Sequence, residues 1–534
     1  MSSETFAAPE ARNQTEVYAV HGADPEVLAY AMAKYSRSAL SMRESLSEIG
    51  AQRAEQFLNT FYFQYGHRSI ADLAHVAFAV ERLSLMAAIV LVDEQRWDGQ
   101  ERSTRYQNFM KSGWYFPDFG ADAESSRLYS ETVEDLFAAY QRTGAAVLEL
   151  LKQRVPRPEA LKPDAYERTL KARAFDVARY LLPLATNTSL GQIVNARTLE
   201  TQISRLLSHP AAEVRDLGTK LREAAAGPAW NMCAQAGQLF VDALAALNLE
   251  VSESLSAEAA HLLTREVKTA PTLVKYAQPN EYLVRSRSEL TQAAAETLRG
   301  LGCAGVEPQV DLVERTESLE VEIAATLLYS ASHFSYRQIR DAVAEWPEGR
   351  VQEIVEMGLR HRGRHDEALR AFKSGAALRF DILMDIGGFR DMHRHRRCVQ
   401  ILQEFTVEHG YETPGAGDLG GDVNILAEAG IEADYRGAVE SAHRASAQIA
   451  AGTAPEAAQS ARYLLPLATR IRGLFKMDFA EAQYISELRS APAGHFSYRR
   501  VAWEMYRAVE KQHPALAKHI RVTDFTQPID MLQR

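Results

Sequence analysis

"ARYLLPLAT" spans Ala178–Thr186 and occurs again, letter for letter, at Ala461–Thr469, an offset of 283 (461 − 178). An identity of this length is improbable by chance, so the chain is read first as an internal repeat. The flanks agree more loosely. Downstream, "ISRLLSHPAAE" (203–213) pairs with "ISELRSAPAGH" (485–495) once one residue is skipped. Upstream, "HRSIADLAHVAF" (67–78) pairs with "HRGRHDEALRAF" (361–372). Near the start of each copy, "VYAVHGADPEVLAYAMA" (17–33) and "VDLVERTESLEVEIAAT" (310–326) both read as a short strand leading into an amphipathic helix. Two homologous halves follow, 16–290 and 309–534, joined through 291–308, where "RGLGCAGVEP" supplies turn and breaker residues.

A chain of 534 residues exceeds what one hydrophobic core organises, in keeping with two domains. At 46% apolar and 24% charged residues it is neither disordered nor built for a membrane, and its apolar runs, such as "LSLMAAIVLV" (83–92), are too short to span a bilayer. The first fifteen residues are small and polar and read as a flexible tail without the apolar core of a secretory signal. The three cysteines, Cys233, Cys303 and Cys398, form no CxxC pair, which fits a reducing cytoplasm and argues against a disulfide framework. A net charge of −10 disfavours a generic nucleic-acid binder. Helical periodicity is expected at 41–60, 71–90, 128–153 and 210–247, giving mixed α and β content.

Against that acidic background, "DMHRHRRCVQILQEF" (391–405) sets five potentially cationic side chains in a row, His393 to Arg397. The matching part of the first half is "DEQRWDGQERSTRYQNF" (93–109). Its Glu-x-Ser-x-Arg-Tyr, at Glu101, Ser103, Arg105 and Tyr106, resembles the signature of the flavin-dependent thymidylate synthases, the ThyX family, where Arg-His-Arg stands seven residues before the serine. Gly66-His67 with Ser69 and Asp72, "VARYLLPLA", and "NARTLETQI" (195–203) resemble further segments of that family. The halves depart from the pattern in complementary ways. In the first, the Arg-His-Arg positions hold Asp93, Glu94 and Gln95. In the second, Arg394-His395-Arg396 is intact, but Glu404 takes the place of the serine. The family's late arginine is Arg489 in the second half and Leu207 in the first, whereas the arginine before Leu-Pro is kept in both, as Arg179 and Arg462.

The resemblance implies an α+β fold, with two tandem ThyX-like domains forming an intrachain pseudo-dimer. It also implies one composite site, with the mirror-image site dead. On this reading Glu101, Ser103, Thr104, Arg105 and Arg179 bind substrate, and Arg394 and Arg489 act on the base. His67, Ser69, His361, His395, Arg396, Asn195 and Arg197 are implied to hold FAD. Arginine suits such a ligand because its planar fork matches phosphate and carbonyl oxygens, and a fixed cation stabilises negative charge developing on a pyrimidine. The implied reaction is methylation of dUMP to dTMP, with NADPH and methylenetetrahydrofolate as co-substrates. The implied assembly is a homodimer holding four ThyX-like domains.

Plainer readings stand beside this one. Asp93 and Glu94 can serve as salt-bridge partners of the second half's arginines and nothing more. His361 and His365 have the i, i+4 spacing of metal ligands, but Arg360, Arg362 and Arg364 interleave them and oppose a divalent ion, so no metal is expected. The two "HFSYR" strings (333–337 and 495–499) fall out of repeat register and read as chance or packing. Asp391 stands where the family usually has a glutamine that contacts the nucleotide, which keeps open a flavoenzyme acting on another uracil nucleotide. A third alternative is a non-catalytic nucleotide- or flavin-binding scaffold.

Overall fold

The computed structural model describes residues 22–34, 68–230, 238–239, 242–243, 246, 266–301, 308–314, 318–363, 366, 369–372, 378–415, 424–454, 456–518, 520–528 and 530–532. Contacts divide the chain into two compact units, Met1–Val76 with Asn195–Arg197 and Ala224–Lys275, and Ala77–Val194 with Thr198–Glu223 and Tyr276–Arg534. Within the first unit, the helix Pro25–Lys34 carries the buried Glu26, whose Oε1 accepts the backbone N–H groups of Thr272 and Leu273, both at 2.9 Å. The expected strand near residue 17 and the expected helix at 41–60 lie outside the described residues.

Among the described residues, seven strands form two sheets. Strands β1 (His75–Ser84), β2 (Asp98–Glu101) and β3 (Asn187–Asn195) make a sheet of order β1-β3-β2. Strands β4 (Val310–Leu312), β5 (Leu378–Asp385), β6 (Val399–Leu402) and β7 (Arg470–Met477) make one of order β4-β5-β7-β6. The β5-β7-β6 portion repeats the order of the first sheet. Each repeat continues from its first strand into a seven-residue helix, Leu85–Leu91 or Ile386–Met392, capped by the last strand residue: Ser84 accepts from Ala87 N–H, and Asp385 from Gly388 N–H. From Leu85 to Ile386, and from Asp98 to Val399, the offset is 301; from Asn187 to Arg470 it is 283. Between these strands the helices are longer in the first copy, 32 and 16 residues (Ala123–Arg154, Pro163–Ala178), than in the second, 19 and 6 (Glu432–Ala450, Ala457–Arg462).

The identical nine-residue segments pair with each other. Pro183 and Pro466 form an antiparallel bridge. Leu184 N–H donates to Leu465 O at 2.9 Å and Leu467 N–H to Leu182 O at 2.9 Å; Ala185 N–H donates to Tyr463 O at 2.8 Å and Ala468 N–H to Tyr180 O at 3.0 Å. Each bond thus has its counterpart 283 residues on. The surroundings repeat as well. Asn187 and Arg470 donate to the carbonyls of Gly113 and Gly410, which sit at φ 70° and 66°, a backbone region open to glycine. Ser84 Oγ donates to Glu213 at 2.6 Å, and at the matching place Ser497 Oγ donates to Asp385, so acid and hydroxyl have exchanged sides.

Two expectations change. Residues 71–90 are not one helix: a 3-10 helix (Arg68–Leu73) and the strand β1 precede Leu85–Leu91, and the alternating exposure along β1 shows a period of two rather than 3.6. The upstream pairing of 67–78 with 361–372 does not hold, since Phe78 lies in β1 whereas Phe372 lies in a 3-10 turn before β5. The "HFSYR" strings each open a helix, Tyr336–Ala344 or Phe496–Gln512, but out of step, in keeping with their lying out of repeat register. The cap is Ser335 in one and His495 in the other, so the string is displaced by two positions. The expected helix at 128–153 is present within Ala123–Arg154, and residues 281–297, which include the start of the expected linker, are helical.

Candidate functional site

The chain leaving β2 turns at once, and Arg102 fixes the turn. Its Nε donates to Gln107 (2.8 Å), Nη1 to Ser112 (2.8 Å) and Nη2 to Asn108 O (2.9 Å), with the guanidinium 4.1 Å from the Phe109 ring centre. This places Glu101, Ser103, Thr104 and Arg105 on one side. Facing them is the end of the helix Ile386–Met392 with the cationic run after it. Arg390 Nη2 donates to Glu101 Oε1 at 2.5 Å and Nη1 to Thr104 Oγ1 at 3.4 Å; Arg394 Nη2 donates to Gln100 Oε1 at 2.7 Å; Arg179 Nη1 donates to Asp391 Oδ2 at 3.4 Å. Residues of both halves therefore line one cleft of about 580 Å³, counted out to its open mouth.

One feature of this cleft suits it to an anion. Arg179 is 2% exposed, yet among the described residues its Nε and Nη2 have no hydrogen-bond partner, and the same holds for Nε of Arg390 and of Arg396. Buried donors without acceptors are costly, and an oxyanion entering the cleft would satisfy them. Arg105 behaves differently. Nε and Nη2 donate to Asp176 (2.7 and 3.3 Å), Nη1 to the Tyr498 hydroxyl (2.8 Å), and Nη2 also to Ala493 O (3.1 Å), so all its nitrogens are engaged within the protein. Burial alone would ease its deprotonation, but Asp176 outweighs that and holds it firmly cationic.

The late arginine connects to the triplet. Arg489 Nε donates to His395 Nε2 at 2.7 Å, which requires an unprotonated Nε2 and leaves the ring proton on Nδ1, 3.6 Å from Glu481. Burial, aided by the Arg489 charge and opposed by Glu481, keeps this histidine below its ordinary range. The Tyr498 ring lies between two guanidinium groups, 5.4 Å from Arg489 and 5.7 Å from Arg105. Arg396 sits 4.3 Å from the Trp97 ring centre, and burial together with the neighbouring Arg394 lowers it to about 10.

The model of the family described as thymidylate synthase complementing protein matches residues 18–227 and again residues 311–515. The chain belongs to this family. It is a tandem, divergent ThyX-like protein. A UPF0159 protein of Chlamydia muridarum is similar to it at 27% identity, over 94% of this chain and 91% of that protein. A flavin-dependent thymidylate synthase of Clostridium tetani is 24% identical over 37% of this chain and 76% of its own length. The solved structure of Helicobacter pylori ThyX complexed with FAD and dUMP covers 38% of this chain and 89% of that one, at 16% identity and a TM-score of 0.25.

In this ThyX-like chain the remaining candidate residues belong to both units. Asn195 and Arg197 belong to the first unit, where Arg197 Nη1 donates to Asp72 Oδ2 at 3.3 Å. Ser69 lies in the 3-10 helix of that unit, and His67 and His365 lie outside the described residues. His361 Nε2 is 2.6 Å from Glu289 Oε1. Among the described residues no group of three or more histidine, cysteine or acidic side chains is arranged to hold a metal.

The altered positions of each half form ion pairs. Asp93 bonds Arg370 at 2.5 Å; burial would raise its carboxyl, but Arg370, His393 and Arg205 together bring it down to about 2. Glu94 pairs with Arg205 of its own half at 2.9 Å, and Glu404 pairs with Arg462. Sequence reasoning missed Arg390, Asp176, Tyr498 and Trp97. Arg390 was within reach, since it stands four residues before Arg394 on the same helical approach.

Proposed function

We propose that the chain is a flavin-dependent enzyme for the reductive methylation of dUMP to dTMP, working at one composite site of an intrachain pseudo-dimer. What carries the reading is the cleft in which Glu101, Ser103, Thr104, Arg105 and Arg179 of one half face Arg390, Arg394 and Arg396 of the other. Arg179 and Arg390 would take the phosphate on their unpaired N–H groups, with the Ser103 hydroxyl as a further donor. Arg105, already held by Asp176, would shape the arm that presents Ser103. Arg394 and Arg489 would lie toward the pyrimidine and stabilise charge developing on the ring. The neutral His395 fixes Arg489 by accepting from it, without adding a second cation.

For the flavin, the orphaned Nε of Arg396 fits an anionic or carbonyl group of the cofactor, with His395 beside it; His67, Ser69, His361, Asn195 and Arg197 are proposed as cofactor residues on the family resemblance alone. When bound, FAD supplies the hydride; NADPH and methylenetetrahydrofolate are proposed as reductant and one-carbon donor. We take the assembly to be a cytoplasmic homodimer, to be tested by light scattering.

The test is a flavin spectrum bleached by NADPH, followed by tritium release from dUMP labelled at the 5-position. Arg394→Ala and Ser103→Ala should each abolish release; indifference to both would refute the composite site, and a colourless protein would favour the non-catalytic scaffold. Asp391 keeps open a second reading, because it stands where the resemblance puts a glutamine that contacts the nucleotide, and its carboxylate instead lies 3.4 Å from Arg179. The same assay with labelled UMP in place of dUMP distinguishes another uracil nucleotide as substrate.

A further inference from the structure

We propose that the second half's counterpart of the Arg179 cleft is a masked anion site, in which the Glu404 carboxylate stands where a phosphate or phosphate monoester would otherwise bind. The inference borrows from the proposed function only the idea that the Arg179 cleft takes an anion. By the 301-residue offset Glu404 is the counterpart of Ser103, and by the 283-residue offset Arg462 is the counterpart of Arg179. In the first cleft two nitrogens of Arg179 lack an acceptor. In the second, Arg462 donates Nη1 to Gln459 at 2.9 Å and pairs Nη2 with Glu404, so the acid that replaced the serine neutralises the arginine that remained.

The cationic surroundings of this pair exceed what one ligand-free arginine would create. Arg287 is pushed down by burial and by the charges of Arg205 and Arg462, with Glu404 as the opposing charge. His209 is pushed down to about 3 by burial together with Arg287, Arg205 and Arg462. His333 is also lowered, by burial first, with Glu404 and Arg462 acting on it in opposite directions. Arg205 has its own acid in Glu94. Loss of Glu404 therefore leaves Arg462 and Arg287 without the one carboxylate that opposes their charge among the described residues. A tethered acid is present at a high effective concentration and excludes free phosphate. One chain would accordingly hold one such ligand, not two.

The test uses the full chain and inorganic phosphate at matched ionic strength, with thermal unfolding and phosphate titration calorimetry as readouts. Glu404→Ala should melt a few degrees lower than the wild type without phosphate. Phosphate should restore it saturably, with an extra binding event absent from the wild type. Adding Arg462→Ala should remove that event. Glu404→Gln keeps the volume and one hydrogen bond while dropping the charge, and covers the case in which the alanine variant does not fold. Equal phosphate responses in wild type and both Glu404 variants, or an extra event that survives Arg462→Ala, would overturn the proposal. Phosphate binding at the first cleft is common to all these proteins, and absence of dUMP turnover leaves the comparison intact, so failure of the proposed reaction and failure of this inference are separable.

Discussion

Pro183 and Pro466, the same residue of two identical segments, face each other across an antiparallel bridge, and the hydrogen bonds around them recur at 283 residues. A contact of this kind sets one patch against its own copy, so a substitution on either side meets an unaltered partner. That accounts for the letter-for-letter repeat in a chain whose active-type motifs have diverged. Away from the bridge, the copies carry different loads: Arg394 and Arg489 on one side, Ser103 and Arg105 on the other.

Arg390 is predicted to govern ligand affinity. Its replacement by alanine removes charge-assisted hydrogen bonds worth about 1.5–3 kcal/mol, a loss of roughly 10–100-fold in dUMP or phosphate affinity by calorimetry. Arg390→Lys should restore little, because a point charge cannot serve Glu101, Thr104 and a ligand together. Unchanged affinity in Arg390→Ala would place the anion elsewhere.

Arg105 is predicted to act first on stability. Asp176 is 1% exposed, and Arg105→Ala strands its carboxylate in the interior, a change that costs about 3–5 kcal/mol. Urea unfolding should show that loss, and a second change, Asp176→Ala, should recover part of it. A variant as stable as the wild type but weak in binding would instead assign Arg105 a direct role on the ligand.

The pH response centres on Asp385. Burial pushes its carboxyl up to about 6, against the pull of the Ser497 hydroxyl and the Arg179 charge. The folded protein then keeps this proton to about pH 6, whereas the unfolded chain releases it near pH 4. Between those values the native state binds more protons, so the stability linked to this group is full below about pH 4 and is lost as pH rises through about 6, by roughly 3 kcal/mol at most. Asp385→Asn keeps an N-cap acceptor for Gly388 and should flatten that part of the profile. Urea midpoints at about pH 5 and about pH 7 check this: the gap between variant and wild type must widen toward the higher pH, and parallel profiles would contradict it.

Much of the architecture was legible because it is written twice. The repeat and the strand and helix read over 310–326 could be taken from residue order alone, and the ThyX resemblance set Asp93, Glu94 and Gln95 against Arg394, His395 and Arg396. The stretch 71–90 misled because a short apolar run carries helix and strand signals together, and the pairing of β1 within its sheet, a non-local fact, decided for strand. The engagement of Arg105 with Asp176, 71 residues away, and with Tyr498, 393 away, left no local trace. Arg390 was passed over because its acceptors, Glu101 and Thr104, come from the other half.

The most direct test is complementation between chains. Arg394 and Ser103 of a single chain line one cleft, so Arg394→Ala and Ser103→Ala chains, each inactive in tritium release from 5-labelled dUMP, should stay inactive when co-expressed and purified together. Recovery of a substantial fraction of wild-type release in the mixed protein would mean that the working site is assembled from residues of different chains, contrary to an intrachain composite site.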